Sequence, residues 1–563
     1  MNKRLAHTLN VLVLLVMSII YVAPLLSAPP DLMYDWPFHS SRIIGLDNVF
    51  KSPVSFTGFG QHGNIVNEFY PWLTLYPVYL LFKLSGDGVT TYQAFLFGNT
   101  MITALVAYYS AYRIKGDRYL AVIFGLTYTY SGYRLANILD TGDMGIIISI
   151  TFLPLVLLGC YEVFVGDYQR WYYLTIGMSL LVYTHALSSV ITVGFIFLAL
   201  IISFYSWDDK KKRLIAFSFA TGMSVLLCLA YLYPLLQQVI AQPLIFPAPK
   251  ELIGVTLKEF VSAQFTYQTF IGNIVGAITF ISFFVALFLH KRLNNVERFI
   301  FGIGAFALLS VTAVFPWGIF GGTFFKVVQW PGRFIIIAVP CLLYAFSAAV
   351  SASAKQFNIK VNYIMLGVLG VILIIANNFA IKDLYNQDPH NHKEIKSYNQ
   401  VNVNFLDYGS KGKVAITSQW LAQKNYYFND EMLHTNVIQK ATNTTKTQHK
   451  TKPTSAVYLT ATHDASNFEI TVTNNTKHRA ELITPVFRYI GQEVRINNVS
   501  TTSTLSKYGT TQITVPPGKS TIKISYHYTK LARFAQITSL LVLFWFLLFT
   551  FVVSSTLKSN KVS

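Results

Sequence analysis

The stretch GDMGIIISITFLPLVLLGCYEVF, residues 142–164, decides the fold class. Between Asp143 and Glu162 it contains no charged residue, and about 20 apolar residues in a helix cross the ~30 Å hydrocarbon core of a membrane. Similar blocks recur along the 563-residue chain, which is 53% hydrophobic and only 12% charged. Soluble domains have about 25% charged residues. The sequence therefore predicts an all-α polytopic membrane protein.

The chain has a net charge of +19, and short basic segments such as residues 208–213 and 290–298 lie between the apolar blocks. Cytoplasmic loops have this pattern under the positive-inside rule. We therefore expect the lipid bilayer as a partner and no nucleic acid. Cys160, Cys228 and Cys341 all lie in apolar blocks, so neither a disulfide framework nor a CxxC motif is indicated.

Orienting the apolar blocks by their basic flanks predicts about twelve spans, with both termini in the cytoplasm. The predicted spans are 9–26, 92–112, 119–134, 144–165, two short helices within 171–205, 214–238, 271–290, 299–314, 334–352, 361–380 and 537–557. The two helices within 171–205 are expected to turn near Thr184 and His185. Residues 69–84 are apolar but short and contain two prolines. They lie in the interface, re-enter the membrane or form a further span, and the sequence leaves these alternatives open.

A composition change after residue 381 marks a different kind of domain. Residues 467–474 alternate polar and apolar side chains, and residues 511–528 resemble a hairpin around Pro517 and Gly518. These patterns predict a small β-sandwich, preceded by a polar linker at 442–455. The predicted domains are a multi-span membrane domain at 1–381 with a large first outer loop at 27–91, an extracytoplasmic domain at 382–530 that is β-rich in 456–528, and a C-terminal transmembrane helix at 537–557.

Ionisable residues are almost absent from the middle of the spans, where transporters usually have them. They collect at the predicted outer ends of helices instead. The outer-end residues are Asp31, Asp35, His39, Arg42, Arg134, Asp140, Asp143, Lys326 and Arg333. This distribution favours chemistry at the outer membrane face over passage through the membrane.

The first cluster lies in YDWPFHSSRI, residues 34–43. Pro37 suits the first turn of a helix and Asp35 precedes it, so Asp35 is either an N-cap or a catalytic carboxylate. His39 and Arg42 are three residues apart and share one side of an amphipathic, interfacial helix.

The other clusters also have two interpretations each. Asp143 caps a span, or the carboxylates of the two outer loops face each other and bind a divalent cation or divide acid and base roles. Arg333 either reaches the headgroups or holds a lipid phosphate, which Lys326 would also stabilise. Trp330 either stacks on a sugar or anchors the helix at the interface.

Three segments together resemble a known group of bacterial membrane proteins. They are YDWPFHSSRI (34–43), the stretch at 142–164 and QWPGRFIIIAVP (329–340). The chain resembles the family called pyruvoyl-tetrahydropterin synthase-related and is similar to the lipoteichoic-acid-glycosylating membrane proteins. These resemble GT-C glycosyltransferases, which use a polyprenyl-phosphate sugar at the outer face of the cell membrane.

The resemblance implies roles for four of the outer-end residues. Asp35 would be the base or a metal ligand, and Asp140 or Asp143 would assist it. Arg333 would contact the donor phosphate. The remaining predicted substrate-binding residues are His39, Arg42, Lys326 and Trp330. In the GT-C pattern a Glu is expected near the start of the fourth span, where this chain has Ile146.

The leading hypothesis is an inverting, GT-C-like glycosyltransferase of the bacterial cell membrane. It would move a sugar from a polyprenyl-phosphate donor to a cell-envelope glycan acceptor. The alternatives are a transporter or flippase of a lipid-linked glycan, and a non-catalytic envelope scaffold. The sugar, the acceptor and the need for a divalent cation are not determined by the sequence.

Overall fold

A computed structural model describes residues 3–27, 35–57, 63, 65–241, 252–266, 273–320, 322–356, 363–386, 456–474, 477–505 and 510–559. The predicted linker at 442–455 and Asp31 lie outside these residues. The chain divides into two compact units. Unit 1 comprises residues 1–37, 88–225 and 248–399, and unit 2 comprises residues 38–87, 226–247 and 400–563.

Helices dominate the described part of the chain. In chain order they are α1 Lys3–Val22, α2 Trp36–Ile44, α3 Val66–Phe69, α4 Tyr76–Ser85, α5 Gly88–Lys115, α6 Arg118–Thr129, α7 Gly132–Ala136, α8 Met144–Phe164, α9 Tyr172–Val182, α10 Ala186–Ser203, α11 Lys210–Ala241, α12 Leu257–Thr266, α13 Gly276–Phe288, α14 Asn295–Leu309, α15 Ile335–Gln356, α16 Tyr363–Asn386 and α17 Lys530–Ser559.

Eight of the described helices are long and apolar enough to cross a membrane, which confirms a polytopic membrane protein. They are Arg4–Leu26, Gly88–Lys115, Met144–Phe164, Ala186–Ser206, Lys210–Ala241, Pro331–Gln356, Ile364–Leu384 and Lys530–Val552. Helices α6, α9, α13 and α14 have only 12, 11, 13 and 15 residues. A helix that short is no longer than about 22 Å, less than the hydrocarbon core. The predicted total of about twelve spans is therefore not established.

Two local predictions can be compared with the helix ends. The apolar run at 171–205 does break where expected, because α9 ends at Val182 and α10 begins at Ala186. His185 forms the N-cap of α10 and its Nδ1 accepts a hydrogen bond from the Ser188 N–H at 3.2 Å. In the run at 69–84, α4 has only 10 residues and ends at Gly86, whose φ is +68°. That run does not form a full span.

Helix α15 forms the centre of unit 1. Within its span, 89% of the residues are buried, and it packs against α6, α8, α13 and α14. Gly304 allows the close approach of α14, because a Cβ at this position would lie 2.8 Å from the Cys341 Cβ. Small residues at crossings let membrane helices pack backbone to backbone.

Ion pairs join helix ends at the basic loops of unit 1. The Asp117 carboxylate caps α6 and accepts hydrogen bonds from Ser351 Oγ at 2.5 Å and Lys355 Nζ at 2.6 Å. Glu297 pairs with Lys115 at 2.7 Å. These contacts connect α5 with α14, and α6 with the central helix α15.

Unit 2 contains a small antiparallel β region, as predicted. Its strands are β1 Ala456–His463, β2 Asn467–Asn474, β3 Ala480–Phe487, β4 Gln492–Ile496, β5 Val499–Thr501, β6 Thr504–Leu505, β7 Thr510–Val515 and β8 Gly518–Tyr526. One sheet has the order β1-β2-β8-β4-β5 and the other the order β3-β7-β6. All the pairings are antiparallel.

The two sheets share one hydrophobic core with the first loop. Side chains of the loop that enter this core are Phe38, Val54, Phe56, Ile65, Val66 and Phe69. They pack with sheet residues such as Ile470, Leu482 and Ile522. Segments about 400 residues apart in the chain thus fold as one body.

Hydrogen bonds attach the same loop to two membrane helices. The Tyr231 hydroxyl of α11 donates to the Phe69 carbonyl at 2.9 Å, and Arg533 of α17 donates to the Phe50 carbonyl at 2.7 Å. Residues 38–87 of the first loop, the β region, the end of α11 and the start of α17 therefore pack together in unit 2. The assignment of the first loop and the β region to the outer side of the membrane stays a prediction.

Candidate functional site

The first loop meets the second predicted outer loop at Asp35. The Asp35 N–H donates to the Thr141 carbonyl at 2.7 Å. Asp35 comes directly before α2, and the buried Trp36 ring packs edge-on against Tyr92 with centroids 4.8 Å apart. The Asp35 residue itself remains partly exposed. Its carboxylate is thus attached to a fixed backbone at the border of unit 1.

A π-helical turn, Asn137–Thr141, shapes the second loop. It ends at Gly142, whose φ of +64° favours glycine, and the Gly142 N–H donates to the Asn137 carbonyl at 2.9 Å. Asp140 lies on this turn and is exposed. Single π-turns inside helical segments occur often at functional sites, and this one presents a carboxylate.

Asp143 follows the turn and caps α8. Its Oδ1 accepts a hydrogen bond from the Ile146 N–H at 3.0 Å, so the N-cap interpretation is confirmed. The Asp143 N–H donates to the Thr141 Oγ1 at 3.3 Å. Thr141 therefore contacts the backbones of both Asp35 and Asp143. The positive end of the α8 dipole favours an ionised carboxylate here.

Arg333 is held against an aromatic ring at the start of the central helix. Its guanidinium carbon lies 3.8 Å from the centroid of Trp330, and its Nη1 donates to the Val328 carbonyl at 3.3 Å. Gln329 has a φ of +67°, a conformation that costs a non-glycine residue about 1 kcal/mol or more. The strained residue brings Trp330 under the guanidinium. Lys326, in the preceding turn, is half-buried.

Tyr133 lies on α7, in the same unit as Asp143 and Arg333. The charges of Asp143 and Arg333 both act on the Tyr133 hydroxyl. Thr141 joins Asp143 to Asp35 through hydrogen bonds from their backbone N–H groups. An accessible carboxylate beside a guanidinium is the combination that proton abstraction and anion stabilisation require.

His39 and Arg42 have a different environment, inside unit 2. Both are 1% exposed, so α2 does not present them to solvent as an interfacial amphipathic helix would. Arg42 donates to the carbonyls of Tyr70 at 3.2 Å and Pro71 at 2.7 Å and to Asn67 Oδ1 at 3.3 Å. Its Nη1 lies 3.2 Å from the His39 Nδ1. Through these hydrogen bonds Arg42 holds α2 to residues 67, 70 and 71 of the first loop. The substrate-binding assignment of His39 and Arg42 stays a prediction.

Glu68 is a buried acid that the sequence did not single out. It is 5% exposed, and its Oε1 has no hydrogen-bond partner among the described residues. Burial raises the pKa of Glu68 to about 8, because desolvation penalises the charged form. The carboxyl group is mainly neutral at pH 7. Its sequence neighbours Val66 and Phe69 belong to the hydrophobic core, but no pattern in the sequence marks this burial.

Arg134 was expected at an outer helix end, and the structure shows that its side chain is buried. It is 0% exposed. Its Nη2 donates to Asn99 Oδ1 at 3.1 Å and to Thr100 Oγ1 at 2.7 Å. The guanidinium carbon lies 5.1 Å from the Tyr21 ring centroid. The reason is that α6 ends at Thr129, so Arg134 lies on the separate helix α7, turned into the bundle.

Within the described ranges, no group of three or more His, Cys, Asp or Glu side chains is arranged to hold a metal ion. The metal-ligand role of Asp35, Asp140 or Asp143 stays a prediction.

The fold defines a polytopic membrane protein with an antiparallel β region near its C-terminus. Residues 68–382 match the family model described as "6-pyruvoyl-tetrahydropterin synthase related domain; membrane protein". This range covers more than half of the 563 residues, so the chain belongs to that family. A comparison with curated proteins found no match.

Proposed function

We propose that the protein is a GT-C-like glycosyltransferase that moves a sugar from a polyprenyl phosphate to a cell-envelope acceptor at the outer membrane face. The observation that supports the proposal is the pair of Thr141 hydrogen bonds that join Asp35 of the first loop to Asp143 of the second, in the unit that also contains Arg333. Asp35 and Arg333 are both partly accessible, which a reacting group must be. The family match supports a membrane protein and leaves the reaction to be tested.

In the proposed reaction Asp35 is the general base. It takes the proton of the acceptor hydroxyl as that oxygen attacks the anomeric carbon. The new C–O bond forms on one face while the C–O bond to the phosphate breaks on the other, which inverts the configuration. The leaving polyprenyl phosphate keeps the electron pair of the broken bond. Asp140 and Asp143 orient the acceptor or tune the charge of the base.

Arg333 is the proposed partner of the leaving phosphate. A guanidinium can donate two parallel hydrogen bonds to phosphate oxygens, and stacking on Trp330 at 3.8 Å limits its rotation. A cation that is oriented before the reaction lowers the cost of reorganisation in the transition state. Lys326, three residues before Gln329, is a second candidate cation for the same phosphate.

One observation favours a second candidate, a flippase of a lipid-linked glycan. Arg134 is a fully buried cation within the helices of unit 1, and its Nη2 donates to one amide oxygen and one hydroxyl oxygen. Buried ionisable residues in membrane helices often mark a transport pathway. A non-catalytic scaffold would have neither activity. The two activities are distinguished by whether a labelled lipid crosses the bilayer or loses its sugar.

The decisive variant is Asp35→Asn in the full-length protein. Envelope glycans would be compared in cells that depend on the wild type, on D35N or on Asp167→Asn as a control. Asp167 is the N-cap of the turn at residues 168–170, and it lies far along the chain from Asp35. We expect D35N to lower the glycosylated product about 10²-fold or more, with unchanged protein level and Tm, and D167N to behave as wild type.

A wild-type glycan profile in D35N would contradict the transferase proposal. In that case purified protein in vesicles would be tested with a fluorescent polyprenyl-phosphate sugar. Movement of the intact lipid across the bilayer would support the flippase, and neither movement nor transfer would support the scaffold.

A further inference from the structure

Unit 1 contains a cavity that the reaction above does not use. Its volume is about 200 Å³. It is lined by Tyr130, Gly132, Leu135, Phe265, Ala277, Ile278, Ala376, Asn377, Phe379, Ala380 and Asp383. Most of these side chains are apolar, and two oxygen-bearing groups come from α16. The cavity thus combines a hydrocarbon-like wall with a small polar end.

Asn377 is the feature that points to a ligand. The residue is 4% exposed and lines the cavity. Its Oδ1 has no hydrogen-bond partner among the described residues. Leaving a buried acceptor unsatisfied costs about 1–3 kcal/mol. A molecule that brings a hydrogen-bond donor into the cavity would recover this free energy.

The wall of the cavity is held by side-chain and backbone contacts. The buried Gln264 donates to the Phe260 carbonyl at 2.6 Å, and its Oε1 accepts from the Val275 and Gly276 N–H groups at 2.8 and 3.0 Å. The Val275 carbonyl accepts from the Tyr133 N–H at 3.3 Å. These bonds join α7, α12 and the start of α13. The cavity is therefore a preformed space, as ligand sites usually are.

The polar groups limit the chemistry of the ligand. Both the Asn377 Oδ1 and the half-buried Asp383 carboxylate accept hydrogen bonds, so a phosphate head would meet an acceptor and a negative charge. An ammonium head would have to be desolvated beside a neutral amide, with only the half-buried Asp383 of the lining to balance its charge. Hydroxyl groups can donate to both oxygens without this cost. Phe265 and Phe379 suit the apolar face of a sugar ring or an alkyl chain.

We propose that this cavity binds the hydroxyl-rich head of an uncharged glycolipid, with the lipid chain along its apolar wall. The site lies on α7, α12, α13 and α16, and it does not depend on the transferase proposal. A transferase, a flippase and a scaffold would each retain it. Its binding partner is a class of membrane lipid, recognised by hydrogen-bond donors.

The test uses the full-length protein in phosphatidylcholine nanodiscs. Monoglucosyl diacylglycerol is titrated, and bound lipid is measured by native mass spectrometry, with phosphatidylethanolamine and plain diacylglycerol as competitors. Asn377→Leu removes the buried acceptor, and its control is Asn378→Leu, because Asn378 is exposed and does not line the cavity. Ala380→Phe fills the cavity, and its control is Val368→Phe, which is exposed on the same helix.

We expect N377L to weaken glucolipid binding about fivefold to tenfold, the loss of one buried hydrogen bond. A380F should abolish binding, and both control variants should bind as the wild type does. Equal binding by N377L and the wild type would overturn the proposal, because the cavity would then hold only water or an alkyl chain. Preferential binding of phosphatidylethanolamine would also overturn it, in favour of an ammonium ligand.

Discussion

Unit 1 leaves the carboxylates of Asp35 and Asp140 and the guanidinium of Arg333 at least partly exposed, whereas unit 2 buries Arg42 and Glu68 almost completely. Asp35 and Arg42 nevertheless belong to one short segment of the first loop. Arg42 has its donors occupied by carbonyl and side-chain oxygens of the protein. Arg333 is oriented by the Trp330 ring and by a hydrogen bond to the Val328 carbonyl.

This difference separates charges that can react from charges that hold the fold. A partly exposed, oriented charge can meet a substrate without a large change in structure. A buried charge must be compensated by the protein itself, because its desolvation costs several kcal/mol. Substitutions of Asp35 and Arg333 in unit 1 should therefore change activity, and those of Arg42 and Glu68 in unit 2 should change stability.

The largest expected effect is that of Arg333→Met. If Arg333 stabilises the leaving phosphate, the variant should lower the transfer rate about 10²-fold to 10³-fold while the Tm stays within a few degrees. Arg333→Lys should recover only part of the rate, because lysine lacks the planar fork. Product formation in membranes is the measurement, with the exposed Arg298→Met as control. A normal rate in R333M would remove Arg333 from the reaction.

Arg42→Met should instead destabilise the protein by about 3 kcal/mol or more, because the carbonyls of Tyr70 and Pro71 lose a charged donor. Arg533→Met is a matched control, since the half-buried Arg533 also donates to two consecutive carbonyls, but through exposed hydrogen bonds. It should cost less than about 1 kcal/mol. Unfolding in detergent measures both. If R42M kept its stability but lost activity, Arg42 would belong with the reactive charges.

Glu68→Gln should make stability less dependent on pH. The folded-state pKa of about 8 lies above the usual value of 4.5, so the folded state binds more protons than the unfolded state between these values. Stability from this group is complete below about pH 4.5 and is lost as the pH rises to 8 and above. Between pH 5 and 8 the wild type should lose about 3 kcal/mol relative to E68Q.

Thermal unfolding at both pH values measures this difference, with the exposed Glu469→Gln as control. Parallel curves for the wild type and E68Q would mean that Glu68 ionises normally. The carboxylate would then have a compensating partner, and the contrast between the two units would weaken.

The smallest expected effect separates the two roles of Asp143. Asp143→Ala should destabilise the protein by about 1 kcal/mol through loss of the α8 cap, whereas Asp143→Asn keeps the cap. If the charge also assists the reaction, both variants should lower activity to a similar extent. Tm and product formation, measured together, distinguish these outcomes. Full activity in D143N would leave Asp143 with capping alone.

Local patterns predicted the elements well. The apolar block at 142–164 forms α8 with Asp143 as its cap, and the alternation at 467–474 forms β2. The number of spans was harder to predict because α6 and α9 are apolar but short. Hydropathy reports composition, whereas the length of a helix depends on where its caps and breaks occur.

The residues that the sequence predicts as one candidate site belong to two different units of the fold. Asp35 and Asp143 are joined through Thr141 in unit 1, which also contains Arg333, while His39 and Arg42, near Asp35 in the chain, are buried in unit 2. A helix of nine residues carries side chains in all directions around its axis. Which direction meets solvent depends on the elements that pack against it.

The sequence by itself determined the membrane class, the positions of the main apolar helices and the existence of a β region, because these depend on composition and on periods of a few residues. Only the tertiary structure decided that the first loop and the distant β region share one core, and that Glu68 and Arg134 are buried. Burial is a property of contacts between segments far apart in the chain, and no local pattern encodes it.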